Sequence, residues 1–211
     1  MNKPALLAGK TVLAAALALS LSGCVEMMLG TAVMGVVAAS DRRTLGAQTD
    51  DKSIALKAEM RMPSVTKDEA HVNVNSYNRK VLLTGEVKDE AMKAAVESHV
   101  RAVDGVLNVF NELEVAPLST YTSRSADALV TTKVKASLVD MKTISANSFK
   151  VVTERGTVYL MGRVTQREGQ VAADVARGVS GVKKVVKLLE YITEEELKSL
   201  HPEREPQQAQ S

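Results

Sequence analysis

Few side chains in this 211-residue sequence have the chemistry of a reactive centre. The single cysteine, Cys24, offers a thiol that serves elsewhere as a nucleophile or metal ligand. One cysteine excludes an intrachain disulfide and any cysteine-rich zinc site. His71, His99 and His201 are of the type that acts as general base or ligand, but they lie far apart with no metal-like spacing. Distant residues can still meet in a fold. The acidic pairs Asp50-Asp51 and Asp89-Glu90 would suit acid–base catalysis if they shared a pocket. Standing before or at helix starts, they read instead as caps for free N–H groups at the positive end of the helix dipole. No Gly-x-Ser-x-Gly elbow, phosphate-binding Gly-rich loop or His-Glu-x-x-His occurs. The sequence therefore predicts no catalytic residue, no metal ligand set, no cofactor and no enzyme. His99 reads as a partly buried structural histidine beside an apolar helix stripe, His71 as the start of a strand, and His201 as part of a polar tail.

Cys24 has a different use. Lys3 and Lys10 precede an apolar stretch over residues 11–21, the layout of a secretory signal. Leu21-Ser22-Gly23-Cys24 then resembles a lipobox, the bacterial signal in which diacylglycerol is attached to the cysteine and cleavage precedes it. A signal anchor with a chance cysteine is the alternative, but the apolar stretch is too short to span a bilayer comfortably. Residues 1–23 are thus read as the signal peptide and Cys24 as the lipidation site. Val25 stands where an aspartate would resemble the inner-membrane retention signal, so the resemblance implies the outer membrane. Residues 24–45 form an apolar, Gly-containing tether that lies on the membrane or, alternatively, folds as a buried helix.

Removing the signal takes away two lysines and no acid, which brings 27 basic and 25 acidic side chains to equality. The charge is nevertheless unevenly placed. Residues 46–115 hold 9 basic and 12 acidic side chains, net −3, whereas residues 119–193 hold 12 and 6, net +6. The basic half is a footprint for an anionic partner. Nucleic acid is excluded as that partner, because the chain is exported and aromatic residues amount to only 3%.

The elements that position these groups come as a repeat. Val81-Leu82-Leu83-Thr84-Gly85-Glu86-Val87 matches Val158-Tyr159-Leu160-Met161-Gly162-Arg163-Val164, Val103-Asp104-Gly105-Val106 matches Val179-Ser180-Gly181-Val182, and Asp51 to Ile54 aligns with Asp127 to Val130. Each unit predicts a helix with apolar residues four apart (Ile54, Ala58, Met62; then Val130, Val134, Leu138), two strands, a second helix and a last strand. The hairpin turns are Tyr77-Asn78-Arg79-Lys80 and Glu154-Arg155-Gly156-Thr157. Gly105 and Gly181 are read as C-terminal caps of the second helices. The helix between strands two and three is long enough for a crossover, so those strands run parallel if they share a sheet. The fold class is α+β, each unit α-β-β-α-β with a small three-stranded mixed sheet on two helices. Boundaries fall at 46–115 and 124–193, joined by a polar linker at 116–123. The units are expected to fold separately, and 194–211 is expected to be a disordered polar tail.

This arrangement resembles the BON domain, a bacterial periplasmic module with the same glycine-centred strand and Val-x-Gly-Val ending. The whole layout resembles the dual BON-domain outer-membrane lipoproteins. Supporting motifs are Gln48-x-Asp50-Asp51, Thr131-Thr132-Lys133-Val134, Leu160-Met161-Gly162 and Val179-Ser180-Gly181-Val182-Lys183. The resemblance covers the chain up to Ile192. It implies a protein anchored by lipid to the outer membrane on its periplasmic face, binding anionic phospholipid such as phosphatidylglycerol or cardiolipin. A role in envelope integrity and division-site localisation comes with it. The alternative is a periplasmic adaptor for envelope protein partners in assembly or cell-wall remodelling.

The lipid contact is expected on the first helix of the second unit, at Leu129, Thr132, Lys133, Lys135, Ala136 and Lys142. With Leu129 at zero and about 100° per residue, Val130, Val134, Ser137, Leu138 and Met141 fall between about 80° and 180° and form the core stripe. Leu129, Lys133, Ala136 and Asp140 lie on the flank beyond it, where a leucine inserts at an interface while lysine meets phosphate. Family members can carry tryptophan where this chain has Leu129, and leucine lacks tryptophan's interfacial preference.

Overall fold

The computed structural model describes residues 41–67 and 69–200. The signal peptide, Cys24, the tether up to residue 40, and His201 with the rest of the tail lie outside the described residues. The first unit comprises α1 (Leu45–Thr66), β1 (His71–Tyr77), β2 (Lys80–Val87), α2 (Glu90–Arg101), β3 (Asn108–Asn111) and β4 (Glu114–Val115). The second comprises α3 (Tyr121–Asp140), a 3-10 turn (Ala146–Ser148), β5 (Phe149–Glu154), β6 (Thr157–Val164), α4 (Gln166–Arg177) and β7 (Lys184–Tyr191), followed by α5 (Glu194–Leu200). The order α-β-β-α-β thus occurs twice.

In each unit a hairpin pairs antiparallel and the third strand runs parallel to the second, as a crossover helix allows. Asn78 and Arg79 have φ of 49° and 64°, and Arg155 and Gly156 of 50° and 80°. Two successive positive values match the right-handed twist of the flanking strands. The helix stripes are buried as their spacing predicts: Ile54, Ala58 and Met62 in one core, Val130, Val134 and Leu138 in the other.

Four expectations are corrected. The last strand of the first unit is interrupted, because Leu113 turns into the core and its N–H bonds to Asn111 Oδ1 at 3.3 Å; pairing with β2 resumes at β4. Gly105 and Gly181 are not the helix caps. The caps are Ala102 and Gly178, and the glycines occupy the following turn at φ 93° and 99°. α3 starts at Tyr121, inside the expected 116–123 linker, with Thr120 Oγ1 accepting the Ser123 N–H at 3.2 Å. Residues 194–200, expected to be disordered, form α5, with Glu196 paired to Arg163.

The acidic pair Asp50-Asp51 is corrected more instructively. Asp51 lies well inside α1 and is buried, with its side chain turned away from the helix start. Its Oδ1 accepts from Ser76 Oγ at 2.6 Å and Arg79 N at 2.8 Å, and its Oδ2 from Asn78 N and Arg43 Nη1, both at 2.7 Å. Asp127 does the same for the second hairpin, accepting from Arg155 N and Gly156 N, both at 2.9 Å. A buried carboxylate is costly unless its lone pairs are filled, and the exposed N–H groups of a tight turn fill them. Asp89, by contrast, caps α2 as expected, accepting the Met92 N–H at 2.7 Å.

The two units do not stand apart. Strand alternation sends Tyr77, Leu82 and Phe110 to the face of the first sheet away from its helices, and Val152, Tyr159, Met161, Val186 and Leu188 to the corresponding face of the second. These side chains pack into a third core shared by both sheets. The two sheets thus stand back to back with helices on the outer faces, so the units that the sequence predicts to fold separately share an interface. Polar contacts rim it: Asn73 Nδ2 donates to Glu154 at 2.8 Å, Lys150 Nζ to Ser76 O at 3.2 Å, and Arg163 N to Tyr77 Oη at 3.2 Å.

A strap closes the arrangement. Arg42, just before α1, forks onto Glu168 of α4 through Nη1 at 2.7 Å and Nη2 at 2.8 Å, and Nη1 also donates to Arg163 O at 3.1 Å. The two side chains are only 2% and 3% exposed. Glu168 also completes a capping box with Thr165, so one carboxylate serves a helix start and a long-range ion pair. Burial pushes the Glu168 pKa up, but the bonds from Arg42 and Thr165 N outweigh it and hold the carboxyl below the ordinary value.

Candidate functional site

The core stripe of α3 is set by Val130, Val134 and Leu138, with Asp127 turned inward beside them. Everything roughly opposite that stripe faces solvent. Leu129 is 63% exposed, Val139 66% and Tyr121 86%. Thr132 and Ala136 lie between them and are also exposed. At about 100° per residue all five fall within roughly 80° of Leu129, so they make one continuous stripe. Lys133 borders it and carries no ion pair among the described residues. Asp140, also exposed, lies at about 20° on the same face, so the stripe carries one carboxylate beside Lys133 and is otherwise apolar or weakly polar.

The structure divides the residues expected from the sequence. Leu129, Thr132, Lys133 and Ala136 share the exposed face. Lys142 lies beyond the C-cap Met141, exposed but off the helix. Lys135 leaves the other flank of the core stripe and lines a cleft between the units together with Tyr77 and Lys150. Val139 and Tyr121 were missed, although the same wheel places both on the flank of Leu129. No helix among the described residues is long and apolar enough to cross a membrane.

α1 occupies the equivalent position in the first unit. It exposes Leu45, Leu56 and Met60, with 70%, 59% and 73% of their surfaces in solvent. It does so in the unit whose side chains sum to −3.

One group of described residues has the types to ligate a metal. His71, Glu86 and Glu154 offer atoms within 4.8 Å of one another. Glu86, fully buried, is already occupied: Oε1 accepts from Arg155 Nη1 at 3.2 Å, and Oε2 from Ser119 N at 3.2 Å, Ser119 Oγ at 3.1 Å and His71 Nδ1 at 3.3 Å. Burial raises its pKa, but the donors, led by the Ser119 N–H, bring it below the ordinary value. Glu154 is shifted the other way by burial, only partly offset by Asn73. With one carboxylate saturated and Arg155 beside it, the group is a junction that joins β1, β2, the connection and the second hairpin. His99 is exposed, its Nδ1 2.8 Å from Ala95 O, which corrects the expectation of partial burial. His71 does begin a strand.

Comparison with known proteins follows this geometry closely. The BON domain matches residues 50–117 and again residues 126–193. The chain is 37% identical over 194 residues to the outer membrane lipoprotein DolP of Haemophilus influenzae, covering 91% of this chain and 97% of that protein. It is 32% identical over 154 residues to the 21 kDa hemolysin of Actinobacillus pleuropneumoniae, covering 72% and 79%. It is 27% identical over 150 residues to the osmotically-inducible protein Y of Escherichia coli, covering 69% and 75%.

Proposed function

We propose a function from a plain premise: this chain belongs to the BON-domain family. It is an outer-membrane lipoprotein with two BON domains. On our reading Cys24 carries the lipid, the folded body faces the periplasm, and α3 engages anionic phospholipid, phosphatidylglycerol or cardiolipin. The protein thereby supports outer-membrane integrity and localises to division sites.

The observation that carries this reading is the α3 face itself. Leu129 and Val139 are each about two-thirds exposed (63% and 66%) on one side of a helix whose other side is fully committed to the core. Exposed apolar groups lined up along a helix favour an interface, at roughly 25 cal/mol for each Å² they remove from water. The excess of 12 basic over 6 acidic side chains in residues 119–193 gives the interface its sign. A diacylglycerol anchor holds the protein at the bilayer by more than one chain, so even a weak second contact is made at high effective concentration.

Co-sedimentation with phosphatidylglycerol vesicles tests the reading. Wild type should pellet, Leu129→Glu should lose binding while keeping its melting temperature, and added salt should weaken binding as charges are screened. Leu129→Glu binding as well as wild type would overturn the assignment to this face. Equal pelleting with neutral and anionic vesicles would favour the adaptor reading, for which the exposed Leu45, Leu56 and Met60 of α1 supply a second apolar face.

A further inference from the structure

Between the two units, where α1 and the first hairpin meet the start of β5, lies a cleft of about 350 Å³. That is within the roughly 300–1,000 Å³ of small-molecule sites. Its walls carry four cations, Arg43, Lys52, Lys135 and Lys150, and two carboxylates, Asp41 and Asp51, with Tyr77 and Phe149 as apolar sides. How the charges are paired decides what the cleft can take.

Both carboxylates are spent on Arg43 and the hairpin. Asp41 accepts from Arg43 Nε at 3.1 Å and Nη2 at 2.7 Å, and Asp51 accepts from Arg43 Nη1 as well as from Ser76 and two turn N–H groups. Arg43 is further fixed over the Tyr77 ring, 4.1 Å from its centroid. Among the described residues none of the three ammonium groups forms an ion pair with a carboxylate. Lys150 Nζ donates one bond, to Ser76 O at 3.2 Å, and keeps two N–H groups free. Lys52 and Lys135 make no ion pair among the described residues. The spare potential of the cleft is therefore positive and comes from three side chains on three elements, α1, α3 and β5.

We propose that this cleft is a phosphate-ester site, in which Lys52, Lys135 and Lys150 converge on one phosphoryl group and Ala55 and the edge of Phe149 border the attached alcohol. Lysine binds phosphate as a movable point charge, which suits three long stems reaching one centre from different walls. Burial first, then the Arg43 and Lys135 cations, lower the Lys150 pKa, against a partial upward pull from the Asp51 and Glu59 carboxylates. A bound dianion would reverse that shift. The chemistry fits two sources, the headgroup of a glycerophospholipid or a soluble phosphate ester. The site is separate from the exposed α3 face, because Lys135 leaves the helix on the opposite flank from Lys133.

The test is a two-dimensional amide NMR titration of the full chain carrying Cys24→Ser, with sn-glycerol phosphate as probe and acetate at matched ionic strength as control. Saturable shifts at Ser76, Phe149 and Lys150 with glycerol phosphate and not acetate are expected. Lys135→Gln combined with Lys150→Gln should weaken affinity about tenfold or more, and Lys93→Gln on α2 should not. Leu129→Glu should retain glycerol phosphate binding whatever it does to vesicles, which separates this site from the α3 surface. If the double variant also loses phosphatidylglycerol vesicles, the source is the lipid headgroup; if it loses only glycerol phosphate, the source is soluble. Absent or unsaturable shifts, shifts reproduced by acetate, or affinity undiminished in a folded double variant would overturn the proposal. Should the double variant not fold, the wild-type shift map decides alone: saturable shifts at those three amides uphold the site, and shifts elsewhere overturn it.

Discussion

The two units share a plan down to the buried aspartate that holds each hairpin, yet they use it unequally. In the first unit Asp51 collects four donors and, through Arg43, ties the entering chain to the sheet. In the second, Asp127 collects two, both from its own turn. The first helices are more alike: both line the cleft, through Lys52 and Lys135, and both expose apolar groups, those of α1 in a unit of net −3 and those of α3 in a unit of net +6. The same plan therefore carries a more heavily bonded hairpin in the first unit and a more basic surface in the second.

That contrast can be broken at several points. The largest effect is expected at the strap. Arg42→Ala leaves Glu168 buried without its partner, which typically costs about 3–5 kcal/mol, and chemical denaturation should show it as an early midpoint. If Arg42→Ala melts with wild type, the strap holds nothing and the units are joined by their sheets alone. Next come the hairpin locks. Asp51→Ala and Asp127→Ala should each cost about 1–3 kcal/mol, Asp51 the more, because it strands more buried donors. Equal losses in thermal melts would erase the asymmetry between the units.

Acid should act in the same region. Glu86 and Glu168 titrate below the ordinary glutamate value, near about 4.3, so their stabilisation is full above it and is lost as pH falls through their lowered values. Glu154, raised by burial, works against this: stability falls slightly as pH climbs from the ordinary value through the raised one. Melting temperature against pH should therefore drop on the acid side, less steeply in Glu168→Gln. An identical acid limb in that variant would remove Glu168 from the account. The smallest effect on folding belongs to the surfaces. Leu56→Glu and Leu129→Glu should each change stability by no more than about 0.5 kcal/mol, and only Leu129→Glu should lose anionic vesicles. Loss by both would make the two helices equivalent after all.

Much of this architecture was legible because it was periodic and stated twice. Helix stripes, hairpins and the parallel third strand follow from spacing alone. The strand glycines read as bulges or caps, whereas the register runs unbroken through both. What they supply is room: a Cβ on Gly85 would lie 1.9 Å from His71 O and one on Gly162 2.4 Å from Ser148 O. The shared core left a trace that went unread: Val81-Leu82-Leu83 and Val158-Tyr159-Leu160-Met161 are apolar without alternation, the mark of a strand covered on both faces. Asp51 and Asp127 were aligned by the repeat, but a cap for a helix start and a lock for a turn 27 or 28 residues later have the same composition. The strap had no local signal at all, since Arg42 and Glu168 lie 126 residues apart. On α3, the angle of Leu129 marks the exposed side, and Val139 and Tyr121 share it at about 80° from Leu129.

The strap also fixes how the protein meets mechanical load. Arg42 precedes every described helix and strand in the chain, yet it grips the second unit and not the first. Tension drawn along the backbone from the N-terminal side therefore enters the body at α4, through two parallel N–H···O bonds loaded together. The hairpin of the first unit is reached only after that grip yields. A pull in that direction meets first an ion pair buried on both sides, 2% and 3% exposed, and not the hydrogen bonds of a strand.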